Sequence, residues 1–569
     1  MRNLLLVTLT ACLSSTAAFA QLSPQQKVDD FRSLVALYAK QYGPYEWKRD
    51  AFGYDLLDIK PWLDRIGRTT DDISYYEVLV EYVASLHDSH DLFTLPSLFI
   101  ARLGFSCDIY DGKPVIDVMD RTLLPAARYP FGIGDEVVSI DGKPADQIIE
   151  ELSKFNNNAQ PGARRRAVAA WLGTRQQALL PRAHEVGDAA MVVIRRASGD
   201  LESYSIPWSK TGTPLTAVGP VIDPKTRIVR VAFQASSPGQ DFSDWPAYMR
   251  PLLAMGDVSV PPQAVIGSGQ RNPLFTLPTG FRQRQGTRAT DNFYSGTFTT
   301  AEGRNIGYIR IPRMTPLDGS QAGTNAAYQE FATEIVFFSQ NTDGLIVDVM
   351  RNPGGSVSYV ETLCQMLINY PFRTLGFELR ATQTWLLQLQ QAVQSLRAQN
   401  APDWIIALFE SYGRAVDEAN REKRGRTGPL PLGGNPSLDI APLPFAYAKP
   451  LIVLADEFSA SGGDMLPAII QDNARGPIVG MRSNGAGGNV VADSAGAYSE
   501  GQARITQSLM NRKNPVVTED LPTAPYVENI GVRPDIRLDI MTRENLMNGN
   551  RPFAAEVVRV ISEEIARRR

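Results

Sequence analysis

The stretch "LIVLADEFSASGGDMLPAIIQDNARGPIVG", residues 451–480, restricts the fold more than any other part of the chain. "PLIVL" is continuously apolar rather than alternating, the pattern of a strand buried on both faces. Gly462-Gly463 follow, and the apolar periodicity of Met465 to Ile470 then predicts a helix. The order is therefore strand, tight turn, helix. A serine in such a turn stands where free N–H groups and the positive end of the helix dipole stabilise a developing oxyanion. Ser461 is the candidate nucleophile and Ser459 the alternative, with plain helix capping as the competing role for both.

The same alternation recurs upstream. "NIGYIRIPRM" reads as a strand, "AAYQEFATEIVFFSQN" as a helix, "DGLIVDVMRNPGGSV" as a buried strand with a glycine-rich turn, and "YVETLCQMLIN" as a helix. Such alternation implies a largely parallel sheet with helices against it, here an α/β core expected over 211–555. Residues 378–430 have helical periodicity and read as an α-hairpin inserted into that core. A chain of 569 residues is too long for one core, and the N-terminal part differs in pattern. Over 21–95, "QQKVDDFRSLVALYAKQY" and "ISYYEVLVEYVASL" predict a helical domain that ends at "HDSHD". Over 96–210 short strands prevail, with hairpins about Asp111-Gly112 and Gly199-Asp200 and a strand–turn–helix unit in "GDEVVSIDGKPADQIIEEL". A helical insertion interrupts this region at 153–188. Residues 210–300, rich in Pro and Gly, say little.

Composition excludes some functions. A net charge of −4 offers no basic footprint for nucleic acid, and no apolar run beyond the N-terminus is long enough to span a membrane. The opening "MRNLLLVTLTACLSSTAAFAQ" has a basic residue, an apolar run and Ala18-Phe19-Ala20 before Gln21, so residues 1–20 are expected to be a signal peptide cleaved after Ala20, placing the protein in the periplasm or outside the cell. The alternative is a lipoprotein anchored through Cys12, at the end of Leu9-Thr10-Ala11-Cys12. Cys107 and Cys364 fall in different predicted domains and are expected to be small core residues, not a disulfide.

Taken in order, the motifs amount to a resemblance. The segment with "LGFS" at Leu103–Ser106 and "GDEVVSIDGKP" at Gly134–Pro144 resembles a PDZ domain, which implies that Leu103, Gly104 and Phe105 form a loop for a peptide C-terminus. "GYIRIP", "GLIVDVMRNPGG", "FSASGGDMLPAIIQD" and "ENIGVRPDI" follow, and together they resemble the C-terminal processing (tail-specific) serine peptidases and the related tricorn core. The resemblance implies a crotonase/ClpP-like α/β catalytic core, a nucleophile at Ser461, and an oxyanion hole from the N–H groups of Gly462 and of Gly355 or Gly354. Where that family usually has a further serine and a glutamate, this chain has Gly463 and Asp464.

The general base is the point of departure. The processing peptidases carry a lysine in a Gly-Lys-Gly stretch, and here "SNGAGG" puts Ala486 at that position, where a methyl group cannot accept a proton. Either the chain is inactive or the base lies elsewhere. The tricorn branch has a Ser-His pair before its PDZ domain, which implies His90 as general acid/base and Ser89 as a bridge orienting its ring, with Glu528, or else Glu519, polarising that bridge. Glu528 could instead only pair with Arg533. His87 and His90, flanked by Asp88 and Asp91, have metal-ligand chemistry but not the His-Glu-x-x-His pattern, so neither metal nor organic cofactor is expected. The expected function is an acyl-enzyme serine endopeptidase acting on protein or peptide substrates, with oligomeric state left open and a homo-oligomer compatible with the sequence. An inactive peptide-binding scaffold on the same fold is the alternative. A crotonase-like acyl-transforming enzyme is a third, by analogy of fold only.

Overall fold

The computed structural model describes residues 21–217, 242–261, 265–518 and 520–568. The signal-peptide expectation, Cys12 and Glu519 fall outside these residues.

The strand Leu451–Ala455 is buried throughout and lies inside a seven-stranded sheet. In spatial order the strands are 282–285, 294–299, 305–310, 344–348, 451–455, 478–480 and 536–537. The first three pair antiparallel and the rest run parallel, which accounts for the continuous apolar runs of "GLIVD" and "LIVLA". Helices Val357–Leu367 and Gly462–Asp472 pack together, and the helix Arg551–Arg567 packs on the strands 344–348 and 451–455. The inserted hairpin is formed by Gln383–Ala398 and Asp403–Arg421, whose apolar stripes close on each other and on the core. Among the described residues no helix is long and apolar enough to cross a membrane.

Four helices, Pro24–Gln41, Tyr45–Phe52, Lys60–Ile66 and Asp72–Ala84, make up the N-terminal unit. The β unit after them has five strands in the order 105–110, 113–119, 136–140, 189–195 and 201–207, with 143–144 paired to the third. Asp111 and Gly112 both have positive φ, 48° and 77°, as the two-residue hairpin requires. Cys107 and Cys364 are free and buried in separate clusters.

The insertion at 153–188 changes what this β unit presents. Its helix Pro161–Ala169 packs against both the strand Phe105–Tyr110 and the helix Ala145–Ser153, so it fills the groove between them. The Leu103 N–H donates to Gly173 O at 2.9 Å, and Gly104 O accepts from the Asp120 N–H at 2.8 Å. Leu103 and Phe105 are 0% and 4% exposed. The expectation that Leu103, Gly104 and Phe105 form an open peptide-capturing loop is corrected: the chain's own insertion occupies it.

Candidate active site

Ser461 sits between the strand Leu451–Ala455 and the helix Gly462–Asp472 with φ 59° and ψ −108°. A left-handed φ at a non-glycine residue is strained, and it persists only where surrounding contacts impose it. Asp464 supplies them. Its Oδ2 accepts the Ser461 N–H at 2.6 Å and the Ala486 N–H at 3.1 Å, while Oδ1 accepts the Gly485 N–H at 2.9 Å and the Ser483 hydroxyl. Burial raises the Asp464 pKa to about 6 against these donors. Asp464 therefore clamps the serine turn to the "SNGAGG" loop. Ser459 has a structural role, donating to Val349 O at 2.9 Å and accepting the Asp456 N–H at 3.0 Å.

His90 meets Ser461 from far away in sequence, Nε2 to Oγ at 2.7 Å. The strand Leu92–Thr94 immediately after it pairs antiparallel with Gln502–Thr506, and Asp91 Oδ1 accepts the Thr506 N–H at 2.8 Å. From the PDZ insertion, Asn157 Nδ2 reaches the carbonyls of Asp88, Ser89 and Asp91 at 3.2, 3.1 and 2.5 Å. The loop carrying the imidazole is thus held by a β-ladder and by one buried amide. Arg166 of the same insertion joins Asp108 at 2.8 Å to Glu457 at 2.8 Å, four residues before the serine.

Ser89 does not bridge His90 to Glu528. Its hydroxyl donates to Asn484 Oδ1 at 2.5 Å and accepts the Ala159 N–H at 3.0 Å, because Asn484 and the insertion stand on that side of the loop. The group facing the ring is Asp88: Oδ1 accepts the His90 N–H at 3.0 Å and lies 3.8 Å from Nδ1. Glu528 is fully buried and pairs with Lys48 Nζ at 2.5 Å, also accepting the Gly487 N–H at 2.9 Å. Arg533 pairs with Asp520 instead. Burial first and then Asp88 raise the Glu528 pKa above its ordinary 4.5, with Lys48 and the Gly487 N–H opposing only in part. Burial lowers the His90 pKa to about 4, with Asp88 opposing, so the ring is a neutral base at pH 7.

Asp88, His90 and Glu528 present ligand atoms within 4.8 Å of one another, the one such group among the described residues. The Lys48 ammonium already supplies the positive charge a cation would bring there. His87 turns away to Arg164 Nη1 at 3.1 Å, and His184 contacts Gln177 at 2.9 Å.

The glycine turn "NPGG" lies directly against the serine. A Cβ on Gly354 would sit 2.8 Å from Gly462 N and 2.9 Å from Ser461 Cβ. The Gly354 N–H is consumed by Asn352 Oδ1 at 2.9 Å, whereas among the described residues the N–H groups of Gly355 and Gly462 enter no backbone hydrogen bond. That selects Gly355 over Gly354 as the partner of Gly462. Ser461 and His90 are both 0% exposed. Residues 258–260 lie extended over the turn, with the Val258 N–H on Gly355 O at 2.8 Å and the Val260 N–H on Pro353 O at 2.9 Å.

Sequence reasoning missed Lys48, Asn157 and Asn484, and named Asp88 only for metal-ligand chemistry, not as the carboxylate facing the His90 ring. Only the polar run "FNNNAQPG" inside an otherwise helical insertion carried a signal.

Known proteins agree with this architecture. Residues 305–538 match the sequence model of peptidase family S41, and residues 100–214 match that of a PDZ domain. A protein of Chlamydia trachomatis is 25% identical over 613 aligned residues, covering 99% of this chain and 96% of its own, and one of Chlamydia muridarum is 26% identical over 620 with the same coverage. Among solved structures, mature CPAF superposes with a TM-score of 0.73 at 23% identity, covering 96% of this chain and 98% of its own. Mature CPAF complexed with lactacystin gives 0.72 at 23%, over 96% and 99%. These structures share the fold. Residues 305–538, which hold the strand–serine–helix turn, thus match a family S41 peptidase domain, with a PDZ domain before them, and the chain is a serine-type peptidase.

Proposed function

We propose that the protein is a secreted or periplasmic endopeptidase that hydrolyses peptide bonds through an acyl-enzyme on Ser461, with His90 as general acid/base. The carrying observation is the 2.7 Å contact between His90 Nε2 and Ser461 Oγ. A neutral imidazole takes the hydroxyl proton as Oγ attacks the scissile carbonyl, and returns it to the leaving amine. The N–H groups of Gly355 and Gly462 receive the oxyanion, and Asp88 and Glu528, both fully buried, stabilise the imidazolium. Ala486 removes a lysine base from this chemistry without removing the chemistry. Export rests on the N-terminal sequence pattern, and N-terminal sequencing of the protein from a periplasmic fraction tests it; a start at Gln21 is expected.

Fluorophosphonate labelling with peptide mapping, from pH 4 to 9, tests the site. The adduct is expected on Ser461, with labelling that needs deprotonated His90. Because burial holds that pKa near 4, the acid limb is expected below the ordinary 6.5. No adduct on folded protein at any pH would favour the binding-scaffold reading.

Gly354→Ala tests the contact between the turns. The added methyl would also meet Val258 O at 2.5 Å, and φ is +90°, so the turn must shift away from Gly462. Displacement of about 1 Å near a reacting centre costs on the order of 10²-fold in rate. Peptide hydrolysis is expected to fall by that factor in kcat/KM with the fold retained by circular dichroism.

A further inference from the structure

The polar run "FNNNAQPG", residues 155–162, opens the insertion in the PDZ domain, yet Asn156, Asn157 and Asn158 are 3%, 3% and 0% exposed. Three consecutive buried amides are costly unless each is used. Asn156 Oδ1 accepts from both the Asn158 N–H and Asn158 Nδ2 at 3.0 Å, and Asn158 O accepts from Arg164 Nε at 3.1 Å, so the run is braced within the insertion. Its bonds beyond the insertion go to the loops that carry His90 and Ser461.

Asn157 has the central place. Its two side-chain N–H bonds face three carbonyls, those of Asp88, Ser89 and Asp91, which bracket His90 in sequence. That loop begins at a left-handed residue, His87 with φ 48°, and turns tightly, with the Asp91 N–H on Asp88 O at 3.0 Å. A strained turn keeps its shape only where outside contacts impose it. Beside Asn157, the Ala159 N–H donates to Ser89 Oγ at 3.0 Å, and Asn158 Oδ1 accepts from Asn484 Nδ2 at 3.0 Å. Asn484 in turn donates its backbone N–H to Ser459 O at 2.9 Å and Nδ2 to Glu457 O at 3.1 Å. The insertion thereby holds the base directly and the serine segment through Asn484. Both partners of the 2.7 Å contact are referred to the same three residues, 157–159.

We propose that Asn157 is a positioning residue for the general base: it touches no substrate atom and acts by keeping the His90 imidazole within reach of Ser461 Oγ. Loss of its N–H groups leaves three buried carbonyls to find new donors, and the loop that carries the ring relaxes toward them. A shift of about 1 Å at a reacting group costs on the order of 10²-fold in rate. The proposal rests on His90 being the base. If it is not, His90→Ala retains its turnover, a result distinct from any failure at Asn157.

Asn157→Ala is expected to lower kcat for a fluorogenic peptide by about 10²-fold with KM unchanged, and Asn157→Ser, which keeps one donor, to lie between. In the His90→Ala background the alanine substitution is expected to change the residual turnover by no more than about twofold, because its effect passes through a ring that is absent. A merely structural role would lower both alike. Labelling the histidines with carbon-13 at Cε1 gives a second reading, since the chain has only three. In Asn157→Ala, His90 is expected to titrate nearer the ordinary 6.5 than in the wild-type chain, as the ring leaves the burial that holds its pKa near 4, while His184 stays where it was. Arg165→Gln, elsewhere on the same insertion where Arg165 pairs with Asp146 at 2.8 Å near the surface, should change neither readout. Unchanged kcat in Asn157→Ala, a rise in KM alone, an equal fractional loss in both backgrounds or an unmoved His90 signal would each overturn the proposal. Should Asn157→Ala fail to fold, Asn157→Ser carries the same comparisons.

Discussion

His90→Ala and Ser461→Ala are each expected to lower kcat for a peptide substrate by about 10⁴-fold or more, and the double variant to be no slower than either alone. The argument is that the two side chains act as one unit. Oγ is a poor nucleophile unless its proton leaves, and among the described residues the base in contact with it is Nε2 at 2.7 Å. Removing the base leaves an inert hydroxyl, and removing the hydroxyl leaves a base with nothing to deprotonate. What survives in both cases is the oxyanion site and substrate binding, which alone retain a modest acceleration over water. KM should move little, since neither group holds the remote parts of a substrate. Steady-state kinetics on the four proteins decides it. A double variant that multiplied the two losses would mean independent roles, and substantial turnover in His90→Ala would remove His90 as the base.

How far the sequence disclosed this site depends on the range over which each contact acts. Ser461 was legible because strand, turn and helix lie within 22 residues and each has a local pattern. His90 followed from the resemblance, and the glycine turn from its place in the motif series. The relay was not legible. Ser89 had the right neighbour in sequence, but its rotamer is decided by Asn484 and by the Ala159 N–H, 395 and 70 residues away. The insertion at 153–188 was visible as an interruption, yet nothing in its periodicity says that it would fill the groove of the PDZ domain and supply Asn157 to the His90 loop. Lys48 reads as an ordinary polar residue on the helix Tyr45–Phe52, and only the packing of that helix against "VENIG" buries it. Long-range pairing of single polar groups leaves no periodic trace, so it is the part of a site that pattern reasoning loses.

Lys48→Met should cost about 3–5 kcal/mol in stability, the penalty for breaking a buried ion pair from one side. The lysine and Glu528 side chains are 2% and 0% exposed, and the ammonium also donates to Asn529 Oδ1 at 2.7 Å and His87 O at 3.0 Å. With methionine there, the apolar stem is kept, but Glu528 faces Asp88 without compensation. The carboxyl escapes by holding its proton, so its folded pKa rises further above the ordinary 4.5. The folded state then binds more protons than the unfolded one, and stability falls as pH rises from about the unfolded value through the folded one. Because the native Glu528 pKa already stands near 8, the deficit of Lys48→Met should be smallest below that pH and grow above it, read as the shift in urea midpoint from about pH 5 to 10. Adding Glu528→Gln should restore much of the stability, because a neutral amide needs no counter-ion, and it should remove the pH dependence. It should not restore turnover, since the charge that stabilises the imidazolium is gone. A deficit equal at every pH, or a double variant no more stable than the single, would mean that Lys48 acts by packing and that Glu528 is not charged in the working enzyme.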